Sequence, residues 1–154
     1  MYRYLLAYGS NCGHREYILE KAICDMNAVR ECVKRSRWLV TAPMPVPNEY
    51  QNLDFQEKHE DYLNFMEDVR SAYQPEDLYR YIVKLENQAG HRRDRRWSPR
   101  ELDIDLVLWA EDDADSFQDC RSLTMDASLQ IPHKGWPQRD FWRVLSQEIE
   151  SFSL

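Results

Sequence analysis

The sequence predicts an α+β fold, a sandwich of one antiparallel sheet with helices against it. Three observations predict it. Hydrophobic spacing switches between strand-like and helix-like in the order β-α-β-β-α-β. The length of 154 residues suits a single domain over residues 1–154 with a real core. Apolar residues make up 43% and aromatics 12%, which argues against disorder.

Residues 3–8 (RYLLAY) are an apolar run stopped by Gly9-Ser10-Asn11, a first strand. Residues 14–26 put Ile18, Ala22 and either Leu19 or Ile23 on one helical face. Residues 28–41 alternate loosely through Val29, Val33, Trp38 and Val40, a second strand. Pro43, Pro45 and Pro47 break any ladder over 42–61, a long loop of the kind that is either functional or disordered. Residues 62–72 read as a third strand. Gln74-Pro75-Glu76-Asp77 starts a helix with proline and acids in its first turn. Leu78, Ile82 and Leu85 form its buried stripe, with Tyr81 beside them, and Gly90 closes it. Residues 101–109 (ELDIDLVLW) are a fourth strand: Leu102, Ile104, Leu106 and Leu108 point one way, Asp103 and Asp105 the other. An irregular acidic stretch follows, then a C-terminal helical extension from about Pro137. The order is that of the ferredoxin-like βαββαβ sandwich, which leaves one sheet face free to carry a site.

The net charge of −7 excludes bulk electrostatic binding to nucleic acid or anionic membrane. Residues 91–100 (HRRDRRWSPR) are nonetheless strongly basic, which suits a compact anion. Cys12, Cys24, Cys32 and Cys120 form no CxxC pair and read as packing residues with reduced thiols. The first residues carry no cleavable signal, so the expected compartment is the cytoplasm.

Asp103 and Asp105 share a strand face, where like charges repel unless a cation compensates them. Two carboxylates are what magnesium bound to a polyphosphate uses, although solvated aspartates on an open sheet show the same spacing. Just upstream lie Arg92, Arg93, Arg95, Arg96 and Arg100, residues suited to bidentate phosphate contacts, and Trp97, a planar face for a ring. A basic loop beside paired carboxylates is the layout of phosphoryl transfer. Downstream, His133, Arg139 and Phe141 make a third cluster, with His133 either a phosphate donor or a turn residue. Gly9-Ser10-Asn11-Cys12-Gly13 enters a helix and could cradle an anion, but lacks the Walker lysine.

AYGSN (7–11), DYLN (61–64), LENQAG (85–90), RRWSPRELDIDLVLW (95–109), IPHKGWPQRDF (131–141) and SQEI (146–149) together resemble the 6-hydroxymethyl-7,8-dihydropterin pyrophosphokinase family of folate biosynthesis. The resemblance implies pyrophosphate transfer from ATP to a pterin alcohol with two magnesium ions on Asp103 and Asp105, and a monomer is expected. It implies that Arg100 and Arg93 act on the transferring phosphates. His91 stands where the family usually has arginine, with Arg92 as a possible substitute. Glu86, Arg96, His133 and Arg139 are implied at ATP. Thr41, Met44, Tyr62, Asn64, Trp97 and Phe141 are implied at the pterin. The RNA-binding RRM shares the element order but needs aromatics where Asp103 and Asp105 stand.

Overall fold

The first strand carries no alternation because it lies inside the sheet. β1 (Tyr2–Ser10) is buried along nearly all its length, with a neighbour on each edge and packing on both faces. The computed structural model describes residues 1–45, 60–90, 99–111, 120–126 and 128–150. After β1 come α1 (Arg15–Met26), β2 (Glu31–Arg35), β3 (Leu39–Thr41), β4 (Tyr62–Ser71), α2 (Pro75–Gln88), β5 (Asp103–Glu111), β6 (Leu123–Asp126), β7 (Leu129–Ile131) and α3 (Asp140–Glu150).

The main sheet has the order β2-β4-β1-β5, with β3 also on β4, and these pairings are antiparallel. On one face, Leu19, Ala22 and Met26 of α1 and Leu78, Ile82 and Leu85 of α2 pack with Tyr4, Leu6, Tyr8, Phe65, Ile104 and Leu106. On the other, Trp142, Leu145 and Ile149 of α3 cover Leu5, Ala7, Met66, Val107 and Leu108. The fold is therefore α+β, with an antiparallel sheet and three helices among the described residues. α2 starts at Pro75, and Gly90 just past its end has φ 105, a backbone state that glycine adopts without strain.

Four expectations are corrected. The strand expected over 28–41 is two, because the Ser36 hydroxyl accepts the Met66 N–H at 2.9 Å and interrupts the ladder. The alternation expected along the fourth strand fails after Leu106. Leu5 pairs with Leu108 and Leu6 with Leu106, so Val107 is an extra residue. Leu108 consequently packs under α3 and Trp109 returns to the opposite core. The sheet face expected to be free is half covered by α3. The stretch expected to be irregular contains the β6–β7 hairpin, because Leu129 and Ile131 are buried on one side of it.

Candidate functional site

Strand register assembles the site on the α3 face. Gly9 of the central strand lies between Asn64 of β4 and Asp103 of β5, and Ala7 lies between Met66 and Asp105. These small residues leave a floor. A Cβ at Gly9 would sit 3.1 Å from Asn64 Oδ1 and 3.4 Å from the Tyr62 ring. Above the floor is a cavity of about 370 Å³, walled by the loop after β3, by β4, by the entry to β5, by residues 133–139 and by the start of α3.

One end is acidic and cationic together. Arg100 Nη1 donates to Asp103 Oδ1 at 2.6 Å. Asp105 is less well served, with Arg139 Nη1 3.4 Å from Oδ2 and His133 Nε2 3.5 Å from Oδ1. Burial, and then the Asp103 carboxylate, push the Asp105 pKa well above the ordinary aspartate value. His133 moves the other way, to about 4, through burial and then Arg139. Its Nδ1 accepts the Gly135 N–H at 3.0 Å, so the neutral ring carries its proton on Nε2, toward Asp105. His133 is thus a neutral hydrogen-bond donor at pH 7.

The other end is an amide pocket. Asn64 Nδ2 donates to Thr41 Oγ1 at 2.8 Å and to the Leu39 carbonyl at 3.3 Å. That commits the amide nitrogen and leaves Oδ1 to accept from a ligand. Tyr62, Met44 and Phe141 add apolar walls, Met44 being 55% exposed.

The expected site residues Thr41, Met44, Tyr62, Asn64, Arg100, Asp103, Asp105, His133, Arg139 and Phe141 all line this one cavity. Glu86 does not line it. Its buried carboxylate accepts the Ile104 N–H at 2.9 Å, on the edge of β5 between the two aspartates. Burial, and then Asp103, raise its pKa to about 8, while the Ile104 N–H opposes the shift. His91, Arg92, Arg93, Arg96 and Trp97 lie outside the described residues. The Gly9–Gly13 turn, considered above as an anion cradle, grips Arg100 instead. Asn11 Oδ1 accepts the Arg100 N–H at 2.7 Å, and the Asn11 N–H donates to the Arg100 carbonyl at 3.1 Å. Lys134 and Trp142 are among the lining residues to which the sequence reading gave no role. Lys134 carried no signal beyond one charge, and Trp142 looked like any core aromatic on a helix.

Fold and cavity together define a small α+β protein whose pocket has paired acids opposed by arginines at one end and a carboxamide at the other. The chain belongs to the 7,8-dihydro-6-hydroxymethylpterin-pyrophosphokinase (HPPK) family, whose sequence model matches residues 5–151. It is similar to the 2-amino-4-hydroxy-6-hydroxymethyldihydropteridine pyrophosphokinase of Aquifex aeolicus, 27% identical over 145 residues, 94% of this chain and 78% of that protein. The enzyme of the same name from Bacillus subtilis is 27% identical over 138 residues, 88% of this chain and 71% of that one. The bifunctional protein FolKE of Lactococcus lactis subsp. cremoris is 27% identical over 130 residues, 84% of this chain but 32% of its own length.

Proposed function

We propose that this protein transfers pyrophosphate from ATP to 6-hydroxymethyl-7,8-dihydropterin, giving AMP and the pterin diphosphate, in folate biosynthesis. Family membership and the enzymes named above support the reaction class. The observation that carries the site assignment is the Asp103–Asp105 pair, incompletely compensated among the described residues, beside Arg100 and Arg139.

The donor set fits magnesium. Two hard carboxylates on one strand face repel each other, and a divalent cation relieves that repulsion. Magnesium shared with substrate phosphates is commonly held by one or two carboxylates. Asp103 and Asp105 would hold two such ions, which supply charge neutralisation and Lewis acidity to the triphosphate.

The chain's own groups do the rest. Arg139 and the neutral Nε2–H of His133 bind the nucleotide phosphates. Asn64 Oδ1 accepts N–H groups of the pterin edge, and Phe141 and Tyr62 flank the ring. The pterin hydroxymethyl oxygen then attacks the β-phosphorus in line. The bond from that oxygen to phosphorus forms, the bond from the β-phosphorus to the bridging oxygen breaks, AMP leaves and the hydroxyl proton goes to solvent. Arg100 stabilises charge that grows during transfer, and Arg93 and either His91 or Arg92 assist from the basic segment. Arg96 is assigned to ATP, Trp97 to the pterin, with Thr41 and Met44 beside the latter. Glu86 serves the ATP site indirectly, through the edge of the aspartate strand. The strand order, with α1 and α2 on one face, supports the ferredoxin-like topology. One monomeric cytoplasmic domain without nucleic-acid or membrane partners is the corresponding assembly. No helix among the described residues is long and apolar enough to cross a membrane.

The test is incubation with MgATP and 6-hydroxymethyl-7,8-dihydropterin. AMP in equal amount to pterin diphosphate is expected; formation of ADP, or no turnover, would refute the proposal.

A further inference from the structure

We infer that Trp142 is a positioning residue for the nucleotide: its indole orients Arg139 by its face and His133 by a T-shaped ring contact, aiming both at the Asp105 end of the cavity. This rests on the proposal that Arg139 and His133 bind the nucleotide.

Trp142 lies in the first turn of α3, is 2% exposed, and still reaches the cavity wall. Around it are Leu5, Ala7, Met66, Val107, Leu108 and Leu145, an apolar setting that an aliphatic side chain would also suit. What indole adds is a π face and a polarised edge. Arg139 uses the face, with its Cζ 4.3 Å from the ring centroid. His133 packs with its ring centroid 5.1 Å away at an interplanar angle of 73°.

Distances decide which contact sets the Arg139 geometry. Its approach to Asp105, at 3.4 Å, is longer than the roughly 2.7–2.9 Å of a charge-assisted hydrogen bond. Arg100, by contrast, meets Asp103 at 2.6 Å. The ring therefore adds a restraint on Arg139 that this long carboxylate contact does not supply alone. Stacking engages the guanidinium face and leaves its in-plane N–H groups for an anion.

Gly135 supports the arrangement from the other contact. A Cβ there would lie 2.8 Å from Arg139 Nε, 3.1 Å from Arg139 Cδ and 3.2 Å from His133 Nδ1. Only a residue without a side chain lets the backbone close on both. The Gly135 carbonyl also accepts the Arg139 N–H at 2.9 Å.

The experiment is calorimetric binding of the magnesium complex of a non-hydrolysable ATP analogue to wild type, Trp142→Phe, Trp142→Leu, Arg139→Ala and the Trp142→Leu/Arg139→Ala double variant. Trp142→Leu is expected to weaken binding about tenfold, and Trp142→Phe, which keeps a π face, by no more than about threefold. The double variant should bind less weakly than the product of the two single losses predicts, since part of the tryptophan's effect runs through the arginine and the rest through His133. KM for ATP should rise in Trp142→Leu with little change in kcat. Trp142→Met replaces the leucine variant if that one does not fold. Equal losses in the phenylalanine and leucine variants, tracking their thermal midpoints, would overturn the inference as a purely structural effect. So would an additive double variant. Wild-type affinity in Arg139→Ala would instead sink the assignment of Arg139 to the nucleotide, and the inference with it.

Discussion

Two acidic clusters sit in the same sheet and are finished differently. Glu67 on β4 is fully buried and closed. Arg35 donates to its Oε1 at 2.8 and 2.6 Å, Arg30 reaches Oε2 at 2.9 Å, and the Tyr8 hydroxyl donates to Oε2 at 2.9 Å. Among the described residues, Asp103 and Asp105 on β5 remain open, with one short arginine bond to the first and only long contacts to the second. A buried acid whose partners balance it belongs to the fold. One left short of compensation raises its pKa or recruits a cation, which is the property of a site.

The largest expected effect breaks the open cluster. Asp103→Asn or Asp105→Asn should lower magnesium-dependent turnover on the order of a thousandfold, since the ligand oxygens that neutralise phosphate charge are lost. Steady-state AMP formation measures it, and near-normal rates in both variants would remove the metal assignment. Breaking the closed cluster should act on stability instead. Glu67→Gln leaves the Arg30 guanidinium, 1% exposed, without its counter-charge. A loss of about 3–5 kcal/mol in urea unfolding is expected, with kcat retained below the melting range. An unchanged midpoint would show that the cluster does not support the fold.

Arg100→Ala comes next. Arg100 is anchored through its backbone by Asn11, so truncating the side chain leaves the turn intact. Turnover should fall about a hundredfold with ATP affinity within a few-fold, the pattern of a group acting on transition-state charge. Weaker ATP binding at unchanged kcat would reassign it to ground-state binding.

The smallest effect sharpens the comparison at the edge between the clusters. The Glu86 pKa is raised from 4.5 to about 8. The folded state therefore holds a proton that the unfolded chain has released, and this contribution to stability is present below about pH 4.5 and lost as pH rises to about 8. Glu86→Gln keeps an acceptor for the Ile104 N–H and has no proton to lose. Without magnesium, wild type should lose stability relative to Glu86→Gln between pH 5 and 8.5. Parallel urea midpoints at the two pH values would contradict this.

Much of the site was legible in the sequence: strand alternation is local, so Asp103 and Asp105 had to share a face, and Asn64 lay in the short motif DYLN (61–64). The helix stripes of Leu78, Ile82 and Leu85 were legible for the same reason. Features set by partners distant in sequence were not. The bulge that turns Leu108 to the α3 face depends on how β1 pairs with β5. The split of residues 28–41 depends on Ser36 meeting Met66 across the sheet. Glu86 was expected at the site from the family resemblance, yet its carboxylate binds the outer edge of β5. Trp142 gave no signal, since a helical tryptophan three residues from Arg139 is most simply a core residue.

The contrast between closed and open acids is tested most directly by the thermal midpoint of Asp105→Asn, alone and with magnesium and a non-hydrolysable ATP analogue. Alone, the variant should melt at or above wild type, because a repelling charge has been removed. With both ligands, wild type should rise and the variant should not. A ligand-free variant that melts well below wild type, as Glu67→Gln should, or one that still rises with magnesium nucleotide, would contradict the assignment of this pair as the cation site.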